Sequence, residues 1–256
     1  MRNVILHYHF FKNAGTSFDG LLERNFPGRW AAREFLNPCD STHQSEVAEW
    51  VVSEFEMVAF SSHTLEGPPP IIPGLNVIPY LFLRHPILRL RSVYDFERTQ
   101  NPKQSVGSAL AQDRTFVEYL EARLSIRGDH QCRNFHVDKL ARWSSSQASH
   151  VDRAKATLRS LRTFGIVERF QESAELFARA WRQEFPTFEV RNLVLNKTNE
   201  ASDPYNLDKI KTELGDAFFK DISAANRDDI ELYDYGNYLF EETKTTILNN
   251  SLEREP

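Results

Sequence analysis

The sequence predicts an α/β protein in which helices flank a central, mostly parallel sheet. Short β-type runs at residues 4–9 and 57–60 are separated by helical patterns. A near-continuous apolar run at residues 77–83 is typical of a parallel strand that is covered on both faces. Because strands that alternate with helices favour a parallel sheet, we expect a three-layer α/β fold.

The other segments continue this alternation along the chain. A further strand is expected at residues 163–167. Apolar spacing predicts helices at residues 16–26, 41–52, from Pro86 onward, and at 113–124, 129–142, 150–161, 171–185 and 222–242. Turn-forming residues or weak patterning predict loops or irregular segments at residues 27–42, 64–75, 100–112 and 186–205.

Nothing in the sequence divides the chain into separate units. It contains no internal repeat, low-complexity tract or linker. We therefore expect a single domain over residues 1–248, followed by a flexible tail at residues 249–256.

Composition limits the classes of function that are open to this chain of 256 residues. A formal charge of −5 argues against a nucleic-acid binder, which needs lysines and arginines clustered over a face. An anionic ligand must therefore be held by a local pocket. The two cysteines, Cys39 and Cys132, are too few for a disulfide framework and lack the paired spacing of a zinc site, so no metal is expected.

The apolar runs of the sequence are short. None approaches the roughly 20 residues of a membrane span, and the first residues become polar too early for a signal peptide. We expect a cytoplasmic protein that does not insert into membranes. The oligomeric state stays open.

The first strand leads into a helix through a short loop that contains Lys12 and Gly15. The helix begins near Thr16 and Ser17, and its N-terminus offers unpaired amides and a partial positive charge. Gly15 permits close approach to the backbone, and Lys12 adds a full charge. This combination predicts a binding site for phosphate or sulfate.

A second cationic segment follows the expected central strand at residues 77–83. Arg84 comes directly after the strand, so it is predicted beside the Lys12 loop, where ligands of open α/β sheets bind. Ser92 lies on the next helix and is expected to hold a second phosphate together with Arg84. Arg89 and Arg91, on the same helix, are interpreted as solvated charges.

Together the two motifs resemble the PAPS-dependent sulfotransferases, which use 3′-phosphoadenosine-5′-phosphosulfate. The likeness is to the branch that includes the heparan- and chondroitin-type carbohydrate 2-O-sulfotransferases and their bacterial relatives. His9-Phe10-Phe11-Lys12-Asn13-Ala14-Gly15-Thr16-Ser17 is similar to that family's 5′-phosphosulfate loop. Leu83-Arg84-His85-Pro86, followed by Ser92-Val93-Tyr94, is similar to its 3′-phosphate element. Phe11 and His85 depart from the usual proline and aspartate.

The resemblance implies a P-loop-like fold. It also implies a transfer of the sulfuryl group from PAPS to an acceptor hydroxyl by in-line displacement, with PAPS as co-substrate and without a metal. Lys12 would stabilise the leaving phosphate oxygen. The residues expected to hold the 5′-phosphosulfate are those of the loop and the first helical turn: Lys12, Asn13, Ala14, Gly15, Thr16 and Ser17.

The same resemblance assigns the rest of the site. Arg84 and Ser92 would hold the 3′-phosphate, and Lys197 and Thr198 would close over the nucleotide. The acceptor is expected to be a hydroxyl of a glycan or of a glycosylated small molecule. Its identity and the position that is sulfated stay open.

His63 is the predicted general base. It follows the strand at residues 57–60, and the sulfotransferase family carries a histidine after the corresponding strand. A neutral imidazole suits the removal of a hydroxyl proton near neutral pH. Glu66 is the rival base, because it lies close in sequence and also accepts protons.

Two other functions remain as alternatives. A nucleoside-triphosphate-dependent phosphotransferase would place its lysine after the second glycine of Gly-x-x-x-x-Gly-Lys, whereas Lys12 precedes Gly15. It would also carry an acidic metal ligand at a strand end, where this chain has Arg84. A noncatalytic nucleotide- or glycan-binding module would keep the pocket without turnover.

Overall fold

The protein has a central sheet of five strands, all parallel, as seen in a computed structural model that describes residues 1–190 and 206–252. The strands are β1 (Arg2–Tyr8), β2 (Trp30–Ala32), β3 (Ala59–Ser62), β4 (Leu75–Leu83) and β5 (Gly165–Ile166). Their order across the sheet is β2-β3-β1-β4-β5. The predicted α/β fold with a central parallel sheet is therefore confirmed.

The register of the sheet brings the carboxyl ends of the three central strands together. Tyr8, the last residue of β1, pairs with Ser62 of β3 on one side and with Leu81 of β4 on the other. β4 continues two residues further, to Leu83. The loops that follow β3, β1 and β4 therefore begin at one edge of the sheet, the edge where parallel α/β proteins bind ligands.

Helices cover both faces of the sheet. Those in the first half of the chain are α1 (Gly15–Asn25), α2 (His43–Ser53), α3 (Pro86–Glu97), α4 (Val106–Ala111) and α5 (Phe116–Ser125). The others are α6 (Phe135–Ala141), α7 (His150–Ser160), α8 (Phe170–Ala180), α9 (Leu207–Leu214), α10 (Asp216–Ala225) and α11 (Arg227–Leu252). A single 3₁₀ turn, Val167–Arg169, joins β5 to α8.

The alternation of side chains along β1 divides the core into two layers. Ile5 packs with residues of α1 and α8, including Phe18 and Phe177. Val4 and Leu6 face the other way and pack with α2, α6, α7 and α11. A third cluster lies beside the sheet, where α3 packs with α5, α9 and α10.

Several segments differ from the sequence-based expectation. Residues 30–32 form β2 and residues 106–111 form α4, where loops were predicted. β2 is short and its pairing with β3 stabilises it, so no local pattern announces it. The helix expected at residues 222–242 is divided at Asn226, whose side chain donates to the carbonyl of Cys132 at 3.0 Å. α11 continues to Leu252, so residues 249–252 are helical and not part of a tail.

Two further findings concern membrane spans and the cysteines. No helix within residues 1–190 and 206–252 is both long and apolar enough to cross a membrane. Cys39 is exposed, Cys132 is buried, and both are free thiols. Lys197, Thr198 and residues 253–256 lie outside the described residues.

Candidate functional site

Residues that follow three neighbouring strands meet at the carboxyl edge of the sheet. Arg84, which follows β4, donates from Nη1 to the carbonyl of Lys12 at 3.0 Å. The ring of His63, which follows β3, lies 3.7 Å from the ring of His9, which follows β1. The predicted position of Arg84 beside the Lys12 loop is confirmed, and His63 lies beside His9 at the same edge of the sheet.

The loop between β1 and α1 has an unusual backbone. Lys12 and Ala14 are non-glycine residues with positive φ values of 62° and 57°. Ala14 is the N-cap of α1 and offers no side-chain hydrogen bond to the helix. Because the first amides of a helix have no intrahelical acceptors, the amides of Gly15 and Thr16 remain available to a ligand. The side chains of Thr16 and Ser17 are exposed beside them.

Gly15 is required by a contact that the sequence does not reveal. A Cβ atom at this position would lie 2.0 Å from Cδ2 of His9. The close approach at Gly15 is therefore made by an imidazole of the protein itself. Gly15 lets His9 pack under the helix N-terminus, and its contact with a bound ligand stays a prediction.

Two arginines hold consecutive carbonyls of the loop. Arg84 donates to the carbonyl of Lys12, and Arg89 donates to that of Phe11 at 3.3 Å. Arg89 is 1% exposed. Its guanidinium carbon lies 3.7 Å from the centroid of the Phe135 ring, and Nη1 donates to the side chain of Gln131 at 2.9 Å. Burial lowers the pKa of Arg89 to about 10.

The interpretation of Arg89 as a solvated charge is therefore wrong. Its guanidinium is held by carbonyl oxygens and an aromatic ring, and it supports the loop from inside the protein. Arg91 is not simply solvated either, because it pairs with Asp95 at 3.0 Å and with Glu213. Helix periodicity does not distinguish these two positions from exposed ones.

Asn13 anchors the loop through its side chain. Its Nδ2 donates to the carbonyl of Phe82 at 2.6 Å and to Nε2 of His136 at 2.7 Å. Nδ1 of His136 in turn lies 3.1 Å from Oδ2 of the buried Asp229. The buried chain therefore runs from α11 through α6 to the loop. The Asn13 side chain points into the protein and fixes the loop, and the binding of the co-substrate by Asn13 stays a prediction.

Lys12 and Arg84 place two positive charges close together. The ammonium of Lys12 lies 4.4 Å from the centroid of the Phe96 ring. Burial and the charge of Arg84 lower the pKa of Lys12, and Asp95 partly offsets them. The guanidinium of Arg84 lies 3.9 Å from the carboxylate of Glu168. An anion bound between the two cations would relieve their repulsion and favour the charged lysine.

His63 is held by a carboxylate that the sequence analysis did not single out. Oε1 of Glu34 lies 2.7 Å from Nδ1 of His63 and accepts the backbone N–H of the same residue at 3.3 Å. Although partial burial opposes it, hydrogen bonds from His63 and Thr64 lower the pKa of Glu34. A carboxylate bound to Nδ1 leaves Nε2 as the imidazole atom that can accept a proton.

Glu34 was missed because it comes shortly after β2, in a segment that was expected to be a loop. A strand there would have placed residue 34 at the same edge of the sheet as His63. With Glu34 included, four neighbouring strands each deliver a polar side chain to this edge.

The rival base, Glu66, has other partners. Its carboxylate is 9% exposed and forms an ion pair with Lys139 of α6, and Nε of Arg142 lies 4.0 Å from its second oxygen. Glu66 is therefore engaged by α6, whereas the ring of His63 lies against the ring of His9.

The remaining predicted residues are less directly placed at the site. Ser92 is buried on α3, with 5% of its surface exposed. Lys197 and Thr198, the expected cover of the nucleotide, are among the residues that the structure does not describe. Their assigned roles stay predictions.

Comparison with known proteins identifies one archaeal relative. No protein-family model matches the chain. A protein of Archaeoglobus fulgidus, described as "Uncharacterized protein", is 34% identical over 241 residues. The match spans 91% of this chain and 95% of the archaeal protein. This chain belongs to the same family as that archaeal protein.

Membership of this family extends the fold to nearly the whole archaeal protein. The archaeal protein's description names no activity. The strands that contribute to the site, β1 to β4, lie within the first 83 residues of this chain. The match to the archaeal protein covers 91% of this chain.

Proposed function

We propose that this protein is a sulfotransferase that moves a sulfuryl group from PAPS to an acceptor hydroxyl. The convergence of Lys12, Arg84 and the first amides of α1 at one edge of the sheet carries the proposal. Phosphate and sulfate groups are the ligands that such donors suit. His63 lies at the same edge, so a proton acceptor adjoins the anion site.

The reaction is an in-line displacement at sulfur. The acceptor oxygen forms a bond to sulfur while the bond between sulfur and the bridging 5′-phosphate oxygen breaks. The electron pair of the broken bond stays on the phosphate oxygen, where Lys12 neutralises it. The acceptor proton moves to Nε2 of His63. The products are the sulfate ester and adenosine 3′,5′-bisphosphate.

Glu34 positions His63 for this step. A hydrogen bond from Nδ1–H of His63 to the carboxylate selects the tautomer whose Nε2 is unprotonated. The same carboxylate stabilises the imidazolium that forms when the proton arrives. This arrangement follows the general logic of a base that is oriented by a third group.

The acceptor class rests on the resemblance alone. A carbohydrate hydroxyl is the acceptor that the similar sulfotransferases favour, and fold by itself does not choose one. Within the site, Arg84 and Ser92 are assigned to the 3′-phosphate, and Lys197 and Thr198 to closure over the nucleotide. Cytoplasmic location is part of the same proposal.

Binding of nucleotides tests the proposal directly. Adenosine 3′,5′-bisphosphate should raise the melting temperature without added magnesium, and at about 100 times Kd the gain should be roughly 2.7 kcal/mol. Arg84→Ala should reduce the shift, while Arg159→Ala, at an exposed arginine of α7, should not. A shift that appears only with ATP and magnesium would point to a phosphotransferase. Binding without turnover on any acceptor would indicate a noncatalytic module.

A further inference from the structure

Two histidines and an aspartate converge beneath the Lys12 loop. His7 and His9 are two residues apart on an extended segment, so their side chains leave the sheet on the same face. Asp19 of α1 meets both: Oδ1 lies 2.7 Å from Nδ1 of His7, and Oδ2 lies 2.8 Å from Nδ1 of His9. The ligand atoms of the three residues lie within 4.8 Å of one another.

We propose that His7, His9 and Asp19 bind a first-row transition-metal dication, with the hydroxyl of Ser61 at the edge of the site. Ser61 Oγ lies 3.0 Å from Nδ1 of His7. Two imidazoles and one carboxylate suit zinc, iron, nickel or copper better than magnesium or calcium, which prefer oxygen ligands. This inference does not depend on the proposed sulfotransferase activity.

The Nδ1 atoms of both imidazoles face the Asp19 carboxylate, one at each oxygen. Ligands of this kind must be deprotonated before a metal can bind. On binding, the Nδ1 proton of each imidazole gives way to the metal, and its Nε2 carries the proton.

The geometry requires only small movements. Metal–ligand distances of about 2.0–2.2 Å would separate neighbouring ligand atoms by roughly 3.0–3.5 Å, with the upper end for tetrahedral zinc. The observed separations of 2.7 and 2.8 Å between each imidazole and Asp19 are shorter by about half an ångström. His7 lies on β1, which is paired with strands on both sides, and Asp19 lies on α1, so the site is built on rigid elements.

The ion would stabilise the neighbourhood of the proposed base. The ring of His9 packs between Gly15 and the ring of His63. A metal that fixes His9 would therefore fix the start of α1 and one face of His63. The spacing of the two cysteines predicts no metal site, but the ligands proposed here are two histidines at alternate positions of an extended segment and an aspartate of α1.

Zinc titration of the chelator-treated full chain tests the proposal. Calorimetry and elemental analysis should show one Zn²⁺ per chain, and magnesium should not bind. Loss of outer-shell partners costs about 10- to 100-fold in metal affinity, so loss of a ligand should cost at least about 100-fold. His9→Gln and Asp19→Asn should show this loss, whereas the matched control His130→Gln, at an exposed histidine 3.8 Å from Asp138, should bind zinc as the parent does.

Two further measurements keep the outcomes distinct. Circular dichroism shows whether each variant is folded. If Asp19→Asn does not fold, the result for His9→Gln decides the test. Imidazole nitrogen spectra should show the Nδ1 signals of His7 and His9 shifting with zinc. The proposal would be overturned if the parent failed to bind one Zn²⁺, or if both folded variants bound zinc as tightly as the parent. His7, His9 and Asp19 would then be only a hydrogen-bonded cluster. Binding of adenosine 3′,5′-bisphosphate in chelator is measured separately, so failure of the proposed function is distinguishable.

Discussion

Nδ1 of His63 lies 2.7 Å from Oε1 of Glu34, and the two residues follow neighbouring strands of the sheet. The other carboxylate oxygen accepts hydrogen bonds from the hydroxyls of Ser62 at 3.2 Å and Thr64 at 3.0 Å. The carboxylate is thus fixed by partners on both oxygens. Glu34 therefore holds His63, the proposed base, in one orientation, with Nε2 directed away from the carboxylate.

Replacement of Glu34 by glutamine should reduce turnover more than binding. The amide can donate to Nδ1 and so favours the tautomer whose Nε2 already carries a proton. We expect kcat to fall by about 10- to 1,000-fold, with unchanged affinity for adenosine 3′,5′-bisphosphate. Steady-state kinetics and calorimetry measure the two effects. Glu49→Gln, on the exposed side of α2, is the control.

A double variant shows whether Glu34 acts through His63. If the two residues form one unit, Glu34→Gln should add little to the loss caused by His63→Ala. Fully multiplicative losses would mean that Glu34 acts independently.

His63→Ala should lower kcat by roughly 10² to 10⁴ and leave nucleotide binding nearly intact, because the base acts only in the proton-transfer step. Glu66→Gln should retain near-normal turnover, because the Glu66 carboxylate is paired with Lys139 and His63 is the proposed base. The opposite result, with a dead Glu66→Gln and an active His63→Ala, would transfer the role of base to Glu66.

Lys12 and Arg84 should give different kinetic patterns. The charge of Lys12 is needed most when the leaving oxygen becomes negative, so Lys12→Ala should lower kcat by about 10² to 10³. Arg84→Ala should mainly raise the donor KM, because a phosphate contact is present in the ground state and the transition state alike. Arg91→Ala, which removes a charge paired with Asp95, is the control. Identical patterns for Lys12→Ala and Arg84→Ala would contradict their separate roles.

Asn13→Ala should destabilise the protein. It leaves the buried carbonyl of Phe82 and Nε2 of His136 without their donor, and such a loss costs about 1–3 kcal/mol. Urea unfolding measures the free energy, with the exposed Asn37→Ala as the control. An unchanged unfolding midpoint would show that the loop does not depend on this anchor.

Asp229 should make stability depend on acid pH. Burial opposes ionisation, but the charge and hydrogen bonds of His136 and the amide of Val137 lower the pKa of Asp229 below its usual range. A carboxyl with a depressed folded pKa stabilises the native state above the unfolded pKa of about 3.9, and this contribution is lost as the pH falls through the folded value. The difference in unfolding free energy between the parent and Asp229→Asn should therefore shrink from pH 7 toward pH 3. A difference that does not change with pH would contradict the depressed pKa.

Much of the fold could be predicted because its signals are local. The apolar run at β4 and the β-type pattern at β1 indicate which side chains face the core. The Lys12 loop was found in the same way, since a strand, a short loop and a helix follow each other directly in sequence. The loop expected at residues 27–42 concealed β2, because a three-residue strand exists only through its pairing with β3.

The sequence by itself determined the parallel α/β class, the position of the Lys12 loop and the succession of Lys12, His63 and Arg84 along the chain. Tertiary structure alone decided which charges serve the site. Glu34 contacts His63, which is 29 residues away in the sequence, and Lys139 forms an ion pair with Glu66, which is 73 residues away. Arg89 is buried against Phe11 and Gln131. The physical reason is that a charge is neutralised, oriented or desolvated by whatever lies around it in space, and these partners come from distant segments that only the packed fold brings together.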